Sequence, residues 1–216
     1  FAPASHCSRT LLAFRRSPAC RGAAVPDAAQ HLIARGAATS EIYTLILLAT
    51  MSSVAVPTWS ADNPSYSAAM AQFQRATEGD KDAIEGAAQK WREVSAAHPQ
   101  DPVPRAFAGA ATTLLATTTL LPWRKMSHVE DGLALIDKAL AMLTPAHDTE
   151  LRLNVPVSLE TRFVAASTFL NLPSMFNRSA RGAKLLAELQ SGPLFDAAPT
   201  PFRASVWMTA ANEAAK

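Results

Sequence analysis

Ala110-Ala111-Thr112-Thr113-Leu114-Leu115 is echoed further along the chain by Ala165-Ala166-Ser167-Thr168-Phe169-Leu170. Each run then reaches a Leu-Pro step beside bulky side chains, Leu121-Pro122-Trp123 in the first case and Leu172-Pro173 with Met175 and Phe176 in the second. Gly132-Leu133-Ala134-Leu135-Ile136 and Gly182-Ala183-Lys184-Leu185-Leu186 follow in the same order. Matching runs in a fixed order mark an array of similar units rather than a single bundle.

Working outward from these runs, the region past Pro64 shows helical spacing of apolar residues, with prolines between the periodic stretches. Seven helical segments are expected, at about 65–77, 80–97, 103–120, 127–143, 157–171, 178–190 and 201 onward. Alanine, the strongest helix former, is abundant throughout, and no stretch alternates with the two-residue period of a half-buried strand. The expected fold is therefore all-α, an array of antiparallel helical hairpins over residues 62–216, with no β-sheet. The last segment reads as a first helix without a partner, so either it caps the array or the sequence is a piece of a longer protein.

The second helix of each pair carries a small residue, a large one four positions on, another apolar or small one three further, and a proline close behind. Ala87, Trp91, Val94 and Pro99 follow this spacing; so do Gly132, Ile136 and Ala139 with Pro145, and Gly182, Leu186 and Leu189 with Pro193. In this respect the chain resembles tetratricopeptide repeats. The small residue lets the paired helices approach, the large one fills the groove between them, and proline ends the helix. The first helices lack the family's Trp and Tyr positions, with only Ala108-Gly109 matching its Leu-Gly step, and the units are longer than the family's repeat of about 34 residues. The resemblance implies a curved α-solenoid whose concave face, built from first helices, binds peptides or partner proteins.

Residues 1–41 hold Arg9, Arg15, Arg16, Arg21 and Arg35 against Asp27 and Glu41, so the overall net charge of +2 originates there. The remainder is close to neutral and has no basic field to attract nucleic acid. Cys7 and Cys20 are the two cysteines of the chain, so the helical region has no thiol for a disulfide or a zinc site. Residues 42–61 contain an uncharged apolar stretch, Ile42 to Ala55, that is shorter than the roughly 20 residues a membrane-spanning helix needs but suits the core of a signal peptide. Cleavage is expected after Ala55 or near Ala61. The Arg-, Ala- and Ser-rich residues 1–41 are expected to be a disordered leader, either untranslated sequence or a targeting segment such as a transit peptide. Contact with a membrane is expected only through this leader, if it is uncleaved.

Two corners combine proline, large apolar side chains and cations: Pro122-Trp123-Arg124-Lys125-Met126 and Pro173-Ser174-Met175-Phe176-Asn177-Arg178. Placed in connections between paired helices, Trp123, Arg124, Met126, Met175, Phe176 and Arg178 form the candidate partner-binding patch, because aromatics and arginine supply much interface energy. The opposing expectation is that Trp123 and Phe176 fold back over the hairpin ends. His128, Glu130 and Asp131 read as a first helical turn, with Ser127 as N-cap and the acids complementing the helix dipole. His98 and His147, beside closing prolines, are expected at the surface. No nucleophile elbow, phosphate loop or paired-histidine zinc motif occurs in the helical part, and no cofactor is expected.

These features predict an exported, periplasmic scaffold that binds a protein or peptide and performs no chemistry of its own. An alternative is a small-ligand or lipid carrier with a cavity between helix layers, which a void-free contact between 103–120 and 157–171 would exclude. A third is an enzyme assembled from scattered polar residues such as Glu160, Arg162 and Arg178. For localisation, the alternative to the periplasm is an organelle lumen reached by a transit peptide.

Overall fold

Side-chain caps and prolines set where the helices begin. Asn63 accepts a hydrogen bond from the Ser65 N–H, Asp80 from Asp82 and Asp101 from Val103, each at 3.0 Å, so three helix starts have one otherwise unpaired amide satisfied by an Asx side chain. The computed structural model describes residues 63–215. The expectations for the leader at 1–41 and the signal segment at 42–61 lie outside these residues.

The caps introduce α1 (Pro64–Thr77), α2 (Lys81–Ala97) and α3 (Pro102–Leu114), the last continued by a 3₁₀ turn over Leu115–Thr117. Next come α4 (Pro122–Ala141) and a 3₁₀ turn at Pro145–Asp148, then α5 (Val157–Asn171) and a further 3₁₀ turn at Ser174–Phe176. The chain continues through α6 (Ser179–Ser191), the short α7 (Pro193–Ala197) and α8 (Thr200–Ala214). The described residues are thus overwhelmingly helical, and all seven expected segments are present. α7 was not foreseen: Pro193 restarts a single turn directly after Gly192.

Two further expectations are corrected. The fourth segment begins at Pro122 rather than near residue 127, because proline with its fixed φ is suited to the first helical turn and the preceding Leu121 takes an extended conformation. Ser127 therefore lies inside α4 and is not its N-cap; its hydroxyl faces Asp131 Oδ2 at 3.4 Å. Strands do occur, in a minimal form: Leu151–Arg152 pairs antiparallel with Val155–Pro156. Leu153 and Asn154 between them have φ of 49° and 64°, the positive values that a tight two-residue hairpin turn of type I′ requires at both positions. Strands of two residues are too short to leave a periodic signature in sequence.

Short connections reverse the chain after α1, α3 and α5, so α1 packs on α2, α3 on α4 and α5 on α6; α3 also packs on α2 and on α5. At the centre of the second pair the two backbones nearly touch. A Cβ built on Gly109 would lie 2.6 Å from Ile136 Cγ1 and 2.7 Å from the Gly132 carbonyl oxygen, and one on Gly132 would lie 2.5 Å from Thr113 Cγ2. Gly182 is similarly confined by Leu170, Phe169 and Ala166 of α5. All nine residues of the small-large-small spacing, from Ala87 to Leu189, are buried.

The core is distributed along the chain in three clusters. One joins α1, α2 and α3, where Trp91 stacks on Phe107 with ring centroids 4.5 Å apart and meets the edge of Tyr66 at 5.1 Å. A second lies between α4 and α5 around Ile136 and Phe169, and a third gathers residues of α5 to α8 around Leu189, Phe195 and Val206. None of the helices among the described residues is long and apolar enough to cross a membrane.

Candidate functional site

The first helices of the pairs share a face that does not close. A cleft of about 950 Å³ runs along it, with walls from α1 (Phe73, Thr77), α3 (Phe107, Ala110, Thr113, Leu114), α5 (Glu160, Phe163, Val164, Ser167, Thr168, Asn171) and α8 (Phe202). Its end is formed by Lys125, Met126 and Val129 of α4 with Pro173, Met175 and Phe176 of the α5–α6 connection. The contact between 103–120 and 157–171 is therefore not void-free, and the condition that would have excluded a cavity is not met. The α5 contribution follows from helical geometry, since positions 160, 163, 164, 167, 168 and 171 recur at three- and four-residue spacing and fall on one side of the helix.

Most of the wall is apolar, and its hydroxyls are largely occupied. Thr113 donates to the Ala110 carbonyl at 2.7 Å, Thr117 to that of Leu114 at 2.7 Å and Thr168 to that of Val164 at 2.8 Å. Two polar atoms differ. Ser167 Oγ and Glu160 Oε2 are out of solvent and have no hydrogen-bond partner among the described residues. Buried polar atoms are nearly always paired, so two such atoms two turns apart on one helix face of a cleft are a notable departure.

Glu160 is held by a polar cluster behind the wall. Its Oε1 accepts from the Tyr66 hydroxyl at 3.1 Å. Arg152, projected inward from the short hairpin, makes a buried ion pair with Asp101 at the head of α3, and its guanidinium lies 5.4 Å from the centroid of the Tyr66 ring. Burial pushes the Glu160 carboxyl up to about 7; the nearby Arg152 and the Tyr66 hydroxyl draw it down and Asp101 raises it, but desolvation dominates. The Tyr66 hydroxyl is pushed well above its ordinary range, chiefly by burial and then by the negative charge of Glu160, so it stays protonated and donates.

The six residues singled out from sequence do not form one patch. Met126, Met175 and Phe176 line the cleft. Trp123 is 67% exposed on the outer side of the first turn of α4, beside Leu120 and Leu121 in the preceding connection. Arg124 faces a separate polar depression with Glu85, Gln89, Arg92 and His128. Arg178 turns to Asp137 at 3.5 Å, joined there by Arg181 at 2.5 Å, and both guanidiniums lie over Phe169. Of the two residues that could have folded back, Phe176 does so, packing half-buried on the α4–α5 cluster, and Trp123 does not. The Pro122 corner is helix rather than connection, which is why its side chains point in several directions.

Glu160, Arg162 and Arg178 are not assembled into one site: Arg178 is committed to Asp137, and Arg162 does not line the cleft. His128, Glu130 and Asp131 lie in mid-helix. His98 and His147 are half-buried rather than exposed; the His147 Nδ1 accepts from the Thr144 N–H at 3.0 Å and caps the turn at Pro145. Among the described residues no group of three or more His, Cys, Asp or Glu side chains is placed to hold a metal ion. The residues that sequence reading missed are Tyr66, Asp101, Arg152 and the phenylalanines at 73, 107, 163 and 202. A lone acid, Glu160, among the apolar residues of its helix was the available signal.

No protein-family model, curated protein or solved structure matches this chain.

Proposed function

We propose that this protein is an exported, non-catalytic binding protein, a divergent tetratricopeptide-like solenoid whose first-helix face holds a small apolar or amphiphilic ligand. The observation that carries this reading is the 950 Å³ cleft lined by Phe73, Phe107, Phe163 and Phe202. Ligand sites are commonly apolar clefts of roughly 300–1,000 Å³ with a few fixed polar groups, and this one has that size and composition. The serial order of helix contacts and the division of the core into three clusters support the solenoid reading, since each unit then leans mainly on its neighbours. The mechanism is equilibrium docking: ligand removes apolar wall from water at roughly 25 cal/mol per Å².

A fluorescence titration with N-phenyl-1-naphthylamine, a neutral apolar probe, tests this on the full chain. One saturable site is expected, with affinity in the micromolar range and weakened about tenfold by Ala110→Phe, which fills the wall. Absence of saturable binding, or equal affinity in the filled variant, would count against it.

A protein-binding reading is favoured by a separate observation, the exposure of Leu120, Leu121 and Trp123 at and just before the first turn of α4. Clustered apolar exposure of this kind marks interaction sites. Trp123→Ala would then abolish capture of a partner without changing probe affinity in the cleft.

A further inference from the structure

We propose that the molecule bound in the cleft carries a single ammonium group, seated against Glu160 with its apolar body along the phenylalanine-lined wall. This deepens the reading of the cleft as a ligand site and rests on it. Three observations converge. Glu160 lines the cleft, and its Oε2 atom is buried without a hydrogen-bond partner while Oε1 accepts from Tyr66, so one strong acceptor of a lining residue is left unused. Together with the cluster behind it, Tyr66 of α1, Asp101 before α3 and Arg152 of the hairpin, Glu160 makes two acids against one base, and Arg152 is already ion-paired to Asp101. An ionised Glu160 therefore leaves the enclosed group one positive charge short. Finally, the rings of Phe107 and Phe163 line the same wall, and aromatic faces attract cations.

An ammonium supplies both the missing charge and the missing donors. A neutral ligand would have to leave Glu160 protonated, and a carboxylate would set two acids against each other in a desolvated site. Lys125, the cation at the far end of the cleft, is exposed to solvent, so its attraction for an anionic head is weakened by hydration and salt. With the Glu160 carboxyl pushed up to about 7 by burial, amine affinity rises with pH until Glu160 is ionised, while the Tyr66 hydroxyl, pushed up by the same burial, keeps its proton.

The test compares n-dodecylammonium, dodecanol and dodecanoate, each below its critical micelle concentration, by displacement of N-phenyl-1-naphthylamine from the full chain. At about pH 8 the amine should bind at least tenfold more tightly than the alcohol, with dodecanoate the weakest of the three. The amine's advantage should shrink as pH falls to about 5.5, where Glu160 is protonated and the ligand's own charge is unchanged. Glu160→Gln should remove the amine's advantage over dodecanol; the pH series on the unaltered protein makes the same point should that variant fold poorly. Equal or tighter binding of dodecanol or dodecanoate would overturn the ammonium assignment while leaving the cleft as a ligand site. Failure of all three compounds to displace the probe would overturn both.

Discussion

A methyl group added at Gly132 would meet Thr113 Cγ2 at 2.5 Å and the Gly109 carbonyl oxygen at 2.6 Å, whereas one added at Gly86 would meet only the amide end of Gln72 at 3.5 Å. The same substitution should therefore act in opposite directions. Gly132→Ala forces α3 and α4 apart and should destabilise by about 2 kcal/mol, within the range for overpacked cores. Gly86→Ala reduces backbone freedom in the unfolded chain and should stabilise by roughly 0.5–1 kcal/mol. Urea denaturation of both variants checks the pair. Glu160 makes a pH-dependent prediction. Its carboxyl titrates at about 7 in the folded protein against about 4.5 in an ordinary setting, so the folded state binds the proton more strongly. Stability from this group is fully present below about pH 4.5 and is lost as pH rises through 7, a difference of roughly 2–4 kcal/mol. Glu160→Gln should raise Tm at pH 8 and leave it nearly unchanged at pH 4, and a pH-independent effect would contradict the assignment.

At the scale of elements, helix positions were legible because their determinants are local. Capping side chains, prolines at first turns and small-large-small spacing all act within a few residues, and Gly132 and Gly182 are where the pattern put the close approaches. The start of α4 was misread because Ser127 imitates a cap while Pro122 sets the boundary. The hairpin at 151–156 was invisible for a different reason: its purpose is tertiary. It places Arg152 beside Asp101, fifty-one positions away in sequence, and Asp101 at the same time caps α3. Both partners are buried, so Arg152→Met should cost about 3–5 kcal/mol by stranding a carboxylate, while the double variant Asp101→Asn with Arg152→Met should recover much of that loss. The solvent-exposed pair of Arg181 and Asp137 should contribute under about 1 kcal/mol. Thermal denaturation of these variants distinguishes the two cases.

For the molecule as a whole, the all-α class could be read from composition and periodicity, and so could the pairing of helices. The cleft could not, because whether adjacent first helices close on each other depends on how successive pairs are inclined, and no short run of residues states that. Met126, Met175 and Phe176 were singled out for being large and apolar at helix ends, and they meet at one end of the cleft; Trp123, Arg124 and Arg178 satisfied the same rule and go elsewhere. Phe73 and Phe202 become neighbours of the same space only through the order of the helices.

That order also makes the central claim directly observable, because the methionines divide by location. Met126 and Met175 line the cleft, and Met142 and Met208 do not. Protein labelled with ¹³C at the methionine methyl groups, titrated with dodecanol and followed by NMR, should show saturable shifts at Met126 and Met175 and none beyond noise at Met142 and Met208. Uniform small shifts at all four, or shifts confined to Met142 and Met208, would contradict the assignment of a ligand site to the first-helix face.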